Sequence, residues 1–137
     1  MEGPAFSRTM PPQLALAGGF MVAPPYGTMH PFDFVVQGGQ NLWRVQVKAS
    51  IHLRKGLYAV NIYRSQGRRL RPYTASEVDF VAVYIVPDDA WFIVPVREVV
   101  DRRMLLFRPK ISWRRDLYAH YREAWHQLIE PDGLVFG

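Results

Sequence analysis

The chain has 137 residues, of which 49% are hydrophobic and 14% aromatic. This length and composition predict one domain with its own core and exclude a largely disordered chain. The formal net charge of +5 favours a polyanionic partner such as nucleic acid. The chain has no cysteine, which excludes disulfides and thiolate metal sites and fits a cytoplasmic location. No apolar run approaches the length of a membrane span, so we expect no membrane partner.

Two alternating runs near the start of the chain predict a β-hairpin. Pro31–Val36 and Leu42–Lys48 have the period of half-buried strands, and a glycine-rich turn separates them. A two-residue loop at Gly39 and Gln40 suits a type II′ turn, because glycine comes first. A short helix at Gln13–Ala17 is predicted to precede the hairpin, ending at paired glycines.

This hairpin register brings three polar side chains to one face of the sheet. Asp33 faces Gln46, and Lys48 lies diagonally from Asp33. A three-residue loop would separate them, because a shift of one residue exchanges the two faces. Such a trio also occurs on the solvated side of ordinary sheets. The strongly apolar strands downstream indicate that this sheet is central, and a polar trio at its rim then favours a catalytic site.

The remaining elements alternate short strands with turns and end in an amphipathic segment. A capping box at Thr74–Glu77 predicts one helical turn. Tyr73 and Asp79 are candidates to reach the polar face, although an acid that opens a strand is more often a turn or capping group. The predicted strands are Tyr58–Tyr63, Phe80–Val86, Trp91–Pro95 and Leu105–Phe107, and the predicted helices are Val96–Val100 and Asp116–Ile129.

Two basic loops follow the hairpin in sequence. Their cations can contact DNA phosphates and release counterions, and a merely solvated surface is the alternative. Because the loops lie close in sequence to the proposed site, we favour DNA contact. The candidate DNA-binding residues are His52, Arg54, Lys55, Arg64, Arg68, Arg69 and Arg71.

Four segments in order carry a resemblance to a known family. They are Phe32–Val36, Arg44–Lys48, Tyr73–Phe80 and Trp91–Val96. They resemble the PD-(D/E)XK nuclease superfamily, and most of all its group I intron-associated endonuclease branch, in which glutamine replaces the second acid. The resemblance spans residues 19–128. It implies a nuclease-like domain over residues 19–137, preceded by a degenerate or truncated segment over residues 1–18.

The resemblance implies roles for four residues. Asp33 would be the metal-binding carboxylate, and Gln46 and the Val47 carbonyl would add oxygen ligands. Lys48 would position the attacking water or stabilise charge in the transition state. The implied metal is Mg²⁺, with Mn²⁺ as an alternative, because Mg²⁺ prefers hard oxygen ligands and keeps waters that can act as nucleophiles.

One feature departs from the family pattern. The family usually supplies a further acid from an N-terminal helix, whereas Glu2 is the sole acid before Asp33 and is a poor candidate. Pro11 and Pro12 also interrupt the stretch where that helix would run. With a neutral glutamine in the second position, weak metal affinity is expected.

The expected fold is α/β (α+β): a restriction-endonuclease-like single domain with a mixed, mainly antiparallel central sheet flanked by helices. The expected function is a metal-dependent endonuclease, homing or restriction-like, that acts on double-stranded DNA as a homo-oligomer. One alternative is a catalytically decayed protein that binds DNA without cutting it. The other is an interaction protein without a nucleic-acid ligand.

Overall fold

The computed structural model describes residues 20–24, 31–109 and 117–129. This part of the chain consists of short strands and turns, and none of its helices could cross a membrane. The strands are β1 (Met21–Ala23), β2 (Phe34–Gly38), β3 (Asn41–Ser50), β4 (Leu53–Arg54), β5 (Leu57–Asn61), β6 (Tyr63–Gln66), β7 (Arg69–Pro72), β8 (Phe80–Ile85), β9 (Ala90–Pro95) and β10 (Met104–Phe107). Single 3₁₀ turns occur at Val86–Asp88, Val96–Glu98, Ala119–Tyr121 and Trp125–Leu128.

A five-stranded sheet in the order β1-β2-β3-β8-β9 organises the molecule. Strands β3 and β8 run parallel, and the other neighbouring pairs are antiparallel. A three-stranded sheet, β10-β5-β4, and the separate β6–β7 hairpin complete the described strands. The prediction of a mixed, mainly antiparallel sheet with the hairpin strands near its centre is therefore confirmed.

The β2–β3 hairpin has the register expected from its sequence. Phe34 pairs with Val45 and Gly38 with Asn41, so the loop has two residues. Gly39 has a φ of 59°, and Gln40 is not among the described non-glycine residues with positive φ. This combination is that of a type II′ turn, which suits the right-handed twist of the flanking strands.

Two hydrophobic clusters lie on opposite faces of the five-stranded sheet. One contains side chains of β8 and β9 packed with β5 and β10, and the other contains side chains of β2 and β3 with Trp91 and Leu128. All six residues of β8 and of β9 are buried. Both faces of these strands are covered, which explains their nearly continuous apolar sequences.

The predicted C-terminal helix is wrong in the part that the structure describes. Residues 117–129 form two separate 3₁₀ turns, and Glu123 between them has a φ of 50°. The Glu123 N–H donates to the Trp91 carbonyl at 2.7 Å, and the Glu123 carboxylate accepts the Trp91 N–H at 2.8 Å. The edge of β9 thus bonds with this segment and interrupts its helical hydrogen bonds.

The flanking helices expected around the sheet are consequently not supported, since no α-helix occurs in the described residues. The segment predicted as a helix at Val96–Val100 forms a single 3₁₀ turn at Val96–Glu98, closed by the Val99 N–H bonded to the Val96 carbonyl. The predicted helix at Gln13–Ala17 lies outside the described residues.

The other local predictions are largely confirmed. The edge strand expected at Leu105–Phe107 is β10, one residue longer at its start. The predicted strand Tyr58–Tyr63 is divided between β5 and the first residue of β6. Only half of the predicted capping box forms: the Thr74 N–H donates to the Glu77 carboxylate at 3.0 Å, whereas the Glu77 N–H donates to the Thr74 carbonyl at 3.0 Å and not to its hydroxyl.

Candidate nuclease site

Asp33 is fixed at the start of β2 by three hydrogen bonds to β3. Its N–H donates to the Val45 carbonyl at 2.9 Å. Its carboxylate oxygen Oδ2 accepts the Gln46 Nε2–H and the Val47 N–H, each at 2.9 Å. The carboxylate thus accepts the Val47 N–H in place of the main-chain carbonyl that would accept it in a regular antiparallel sheet. Asp33 and Gln46 lie on the same face of the hairpin, as the predicted register required.

Lys48 follows Gln46 by two residues in β3 and lies on the same face of the strand. Its side chain is half-buried. Burial lowers the pKa of the Lys48 ammonium, and the charge of Asp33 partly opposes this shift. The lysine therefore stands in a partly desolvated environment with a carboxylate nearby.

Tyr73 forms the floor beneath the lysine. The Lys48 Nζ atom lies over the Tyr73 ring, 5.9 Å from its centroid, and Tyr73 is only 4% exposed. Burial first, and then the charge of Asp33, raises the pKa of Tyr73 to about 12. Tyr73 therefore stays protonated at neutral pH and offers Lys48 the electron-rich face of a neutral ring. Tyr73 is one of the two further residues that the sequence offers for this face, and its ring lies beneath Lys48.

Asp79 has a structural role at the end of β3 that lies nearer the hairpin turn. Its carboxylate accepts hydrogen bonds from the Arg44 backbone N–H at 2.8 Å and from the Arg44 guanidinium at 2.9 and 3.1 Å. The Asp79 N–H donates in return to the Arg44 carbonyl at 2.8 Å. This reciprocal pairing holds the segment before β8 against β3. Asp79 is therefore bonded to Arg44 and does not join Asp33, Gln46 and Lys48.

The donor atoms around Asp33 suit a hard divalent cation in kind. A carboxylate, the Gln46 amide oxygen and the Val47 carbonyl are the oxygen ligands that Mg²⁺ prefers. As placed, Gln46 directs its NH₂ group at Asp33, so its amide must turn over before the oxygen can serve as a ligand. No group of three or more His, Asp or Glu side chains within the described residues could hold a metal. The residues present could therefore bind a divalent metal with one carboxylate, that of Asp33, and with the neutral oxygens of Gln46 and Val47.

Of the three candidate residues in the first basic loop, one lies in a groove next to Lys48 and two lie on the exposed surface. His52 and Lys48 line the same groove, of about 360 Å³, together with Ser50 and Asn61. Arg54 at the end of β4 is exposed, and so is Lys55 in the following turn, where it has a φ of 54°. Neither residue lines this groove.

The second predicted basic loop is wrong as a loop, because Arg64, Arg69 and Arg71 lie in the paired strands of the β6–β7 hairpin and only residues 67–68 form its turn. Arg68 and Arg69 are exposed at its tip. Arg64 and Arg71, which pair across the strands, both bind the Glu77 carboxylate. The Arg64 Nη1 atom is 2.7 Å from Glu77 Oε2. This bonding lowers the pKa of Glu77 to about 2, with Arg71 as the largest cause.

The roles of two residues of this surface are not apparent from the sequence. Glu77 was assigned only to the capping box, although its carboxylate also orients two of the candidate DNA-binding arginines. Arg103 was not considered, yet it lines a groove with Arg69 and Arg71. Neither could have been found from spacing, because each meets its partners only through the tertiary fold.

Comparison with known structures assigns the fold to a class of nucleases. The structure of a bacterial homing endonuclease, I-Ssp6803I, matches with a TM-score of 0.71 and 27% sequence identity, over 84% of this chain and 82% of that chain. The sequence profile of the PD-(D/E)XK endonucleases matches residues 13–128. The chain belongs to the PD-(D/E)XK endonuclease family, so the resemblance found in the sequence is confirmed. A comparison with curated protein sequences gave no match.

Proposed function

We propose that this protein is a metal-dependent endonuclease that hydrolyses phosphodiester bonds of double-stranded DNA, in the manner of homing or restriction enzymes. The observation that carries the proposal is the joint placement of Asp33, Gln46 and Lys48 on one face of the β2–β3 hairpin. Family membership supports a nuclease, and nucleases of this family generally use divalent metals. The fold resembles that of a homing endonuclease.

Each residue of the trio has a chemical role in this proposal. Asp33, the Gln46 amide once turned over and the Val47 carbonyl would hold the cation, Mg²⁺ or Mn²⁺. The cation, when bound, supplies an activated water and offsets charge on the phosphate. Lys48, held above the Tyr73 ring, donates hydrogen bonds to the attacking water or to a phosphate oxygen as negative charge develops there.

The protein is also proposed to act as a homo-oligomer. The trio forms one site in each chain, and cleavage of both strands of a duplex requires two sites of opposite orientation. A two-fold symmetric pair of chains supplies such sites. Size-exclusion chromatography with light scattering, with and without a DNA duplex, measures this assembly.

A second candidate is a protein of the same fold that binds DNA without cutting it. The observation that favours it is the single carboxylate beside Gln46, because within the described residues no acidic cluster completes a metal site. One carboxylate and neutral oxygens bind Mg²⁺ weakly until the phosphate of the substrate contributes its charge.

A plasmid assay separates the two candidates. Supercoiled plasmid is incubated with the protein and Mg²⁺ or Mn²⁺, beside Asp33→Asn and Lys48→Met, which preserve side-chain size. Arg102→Met, an exposed cation outside the trio and outside the candidate DNA-binding residues, is the matched control. We expect nicking or linearisation by the wild type and Arg102→Met, and at least a 100-fold loss in the other two variants.

Equal cleavage by Asp33→Asn or Lys48→Met would refute the assignment of the site. Salt-sensitive binding of DNA by the wild type without any cleavage in either metal would instead favour the non-cutting candidate.

A further inference from the structure

One face of the β6–β7 hairpin concentrates positive charge. Arg64 pairs with Arg71 across the two strands, and Arg69 lies two residues before Arg71 in β7. Residues opposite each other, and residues two apart, share a face of a β-ribbon. The face with Arg64, Arg69 and Arg71 is therefore distinct from the face with Leu70.

A groove of about 530 Å³ lies along β7, and residues of both faces of this strand line it. Its described lining consists of Arg69, Leu70, Arg71 and Arg103. Arg103 precedes β10 and is held next to the hairpin by its carbonyl, which accepts the Ile62 N–H at 2.9 Å. The described lining thus contains three arginines and no acid.

The charges in this groove are only partly balanced. Glu77 pairs with Arg64 and Arg71. Neither Arg69 nor Arg103 forms an ion pair with a carboxylate of the described residues, and both are exposed. Guanidinium groups gathered around one groove repel one another unless an anion lies between them. Their planar donors match the oxygens of a phosphate group.

Strand β7 connects the groove to the candidate nuclease site along the chain. Arg71 precedes Tyr73 by two residues, and Tyr73 contacts Lys48 through its ring. An extended chain rises roughly 3.3 Å per residue, so Arg69 lies about 13 Å from Tyr73. A DNA strand rises about 3.4 Å per nucleotide along its axis. This separation corresponds to roughly four nucleotides.

We propose that this arginine groove binds the DNA backbone roughly four nucleotides from the scissile phosphate, and that Arg103 is a DNA-contacting residue. The inference rests on the proposed function and extends it to a particular subsite. Glu77 acts as a positioning residue there, because it fixes Arg71 at the edge of the groove while Arg69 and Arg103 supply the uncompensated charge.

The test measures binding of a 20-base-pair duplex as a function of salt concentration, in Ca²⁺ so that the duplex stays intact. Arg103→Gln is compared with Arg102→Gln, the neighbouring exposed arginine that does not line the groove. Each phosphate contact contributes about 0.9 to the slope of log K against log salt concentration. We expect the slope to fall by about 1 in Arg103→Gln and to stay unchanged in Arg102→Gln.

Arg69→Gln and the double variant Arg69→Gln/Arg103→Gln extend the test. We expect slopes lower by about 1 and about 2, with circular dichroism and melting temperature unchanged in each variant. A wild-type slope in Arg103→Gln, or an equal fall in Arg102→Gln, overturns the inference. The same measurements are made with an RNA duplex of the same sequence. A slope that falls in Arg103→Gln for RNA but not for DNA also overturns the inference. If the wild type itself does not bind DNA in a salt-dependent manner, the proposed function fails together with the inference. If the wild type binds and only the Arg103→Gln result is contrary, the inference alone fails.

Discussion

The substitution Gln46→Glu tests the geometry of the nuclease site in a way that does not depend on catalysis. In the wild type, Gln46 Nε2 donates to Asp33 Oδ2 at 2.9 Å. The substitution replaces this donor with a second carboxylate, which converts an attraction into a repulsion between like charges. We therefore expect the metal-free protein to be destabilised at neutral pH.

The size of the effect follows from the distance. Two like charges that relax to about 4 Å repel by about 4 kcal/mol at an effective dielectric constant of 20. The introduced carboxyl can escape this repulsion by taking up a proton. At pH 7 this costs about 1.36 kcal/mol for each unit above its usual pKa near 4.3, or about 4 kcal/mol in total. We expect a loss of about 2–4 kcal/mol, which corresponds to a fall in melting temperature of about 8–16 °C.

The pH dependence has a definite sign. The neighbouring charge of Asp33 raises the pKa of the introduced carboxyl above its value in the unfolded chain. The destabilisation is therefore greatest at high pH and disappears as the pH falls toward about 4. A divalent cation placed between two carboxylates binds only the folded state, so millimolar Mg²⁺ or Ca²⁺ should restore more stability to the variant than to the wild type.

Thermal and urea unfolding between pH 4 and pH 8, with and without metal, measure these effects. The matched control is Gln37→Glu, an exposed position on the same face of β2. It lies about 13 Å along the strand from Asp33, where salt screens the interaction. If Gln46→Glu is as stable as Gln37→Glu at pH 7 without metal, the two side chains are not in contact and the reasoning is refuted.

Three further predictions concern the surroundings of the site. Tyr73→Phe keeps the ring beneath Lys48 and should cleave within two-fold of the wild type, whereas Tyr73→Leu removes about 1 kcal/mol of cation–π stabilisation and should cleave about five-fold more slowly. NMR should show an upfield ring-current shift of the Lys48 ε-protons in Tyr73→Phe but not in Tyr73→Leu, and equal behaviour of the two variants would contradict this role. Glu77 has a pKa lowered to about 2, so its contribution to stability is complete above about pH 4.5 and is lost as the pH falls toward 2. Urea unfolding of Glu77→Gln should show a loss of about 1–2 kcal/mol at pH 7 that vanishes near pH 2, and a constant difference would contradict it. A methyl group at Gly38 would lie 2.3 Å from the Leu128 carbonyl oxygen, so Gly38→Ala should lower the free energy of unfolding by about 1–3 kcal/mol, and an unchanged value would show that this contact is absent.

The sequence by itself determined the central hairpin and the main buried strands, but not the β6–β7 hairpin, which its arginines and glycine indicated only as a loop. Period-two alternation and a turn with glycine in its first position define the register, and the register alone decides that Asp33 and Gln46 share a face. The continuous apolar runs of β8 and β9 similarly indicate strands that are buried on both faces. These features are local, because each depends on residues that are near one another in the chain.

Tertiary structure decided what local patterns could not. The amphipathic spacing of residues 117–129 predicted a helix, but the edge of β9 offered Glu123 a pair of hydrogen bonds that no local pattern reveals. The Tyr73 ring beneath Lys48 and the groove between Arg69 and Arg103 join residues 25 and 34 positions apart in the chain. Contacts at such separations form only when the sheets pack, because side-chain periodicity specifies the face of an element and not its partner.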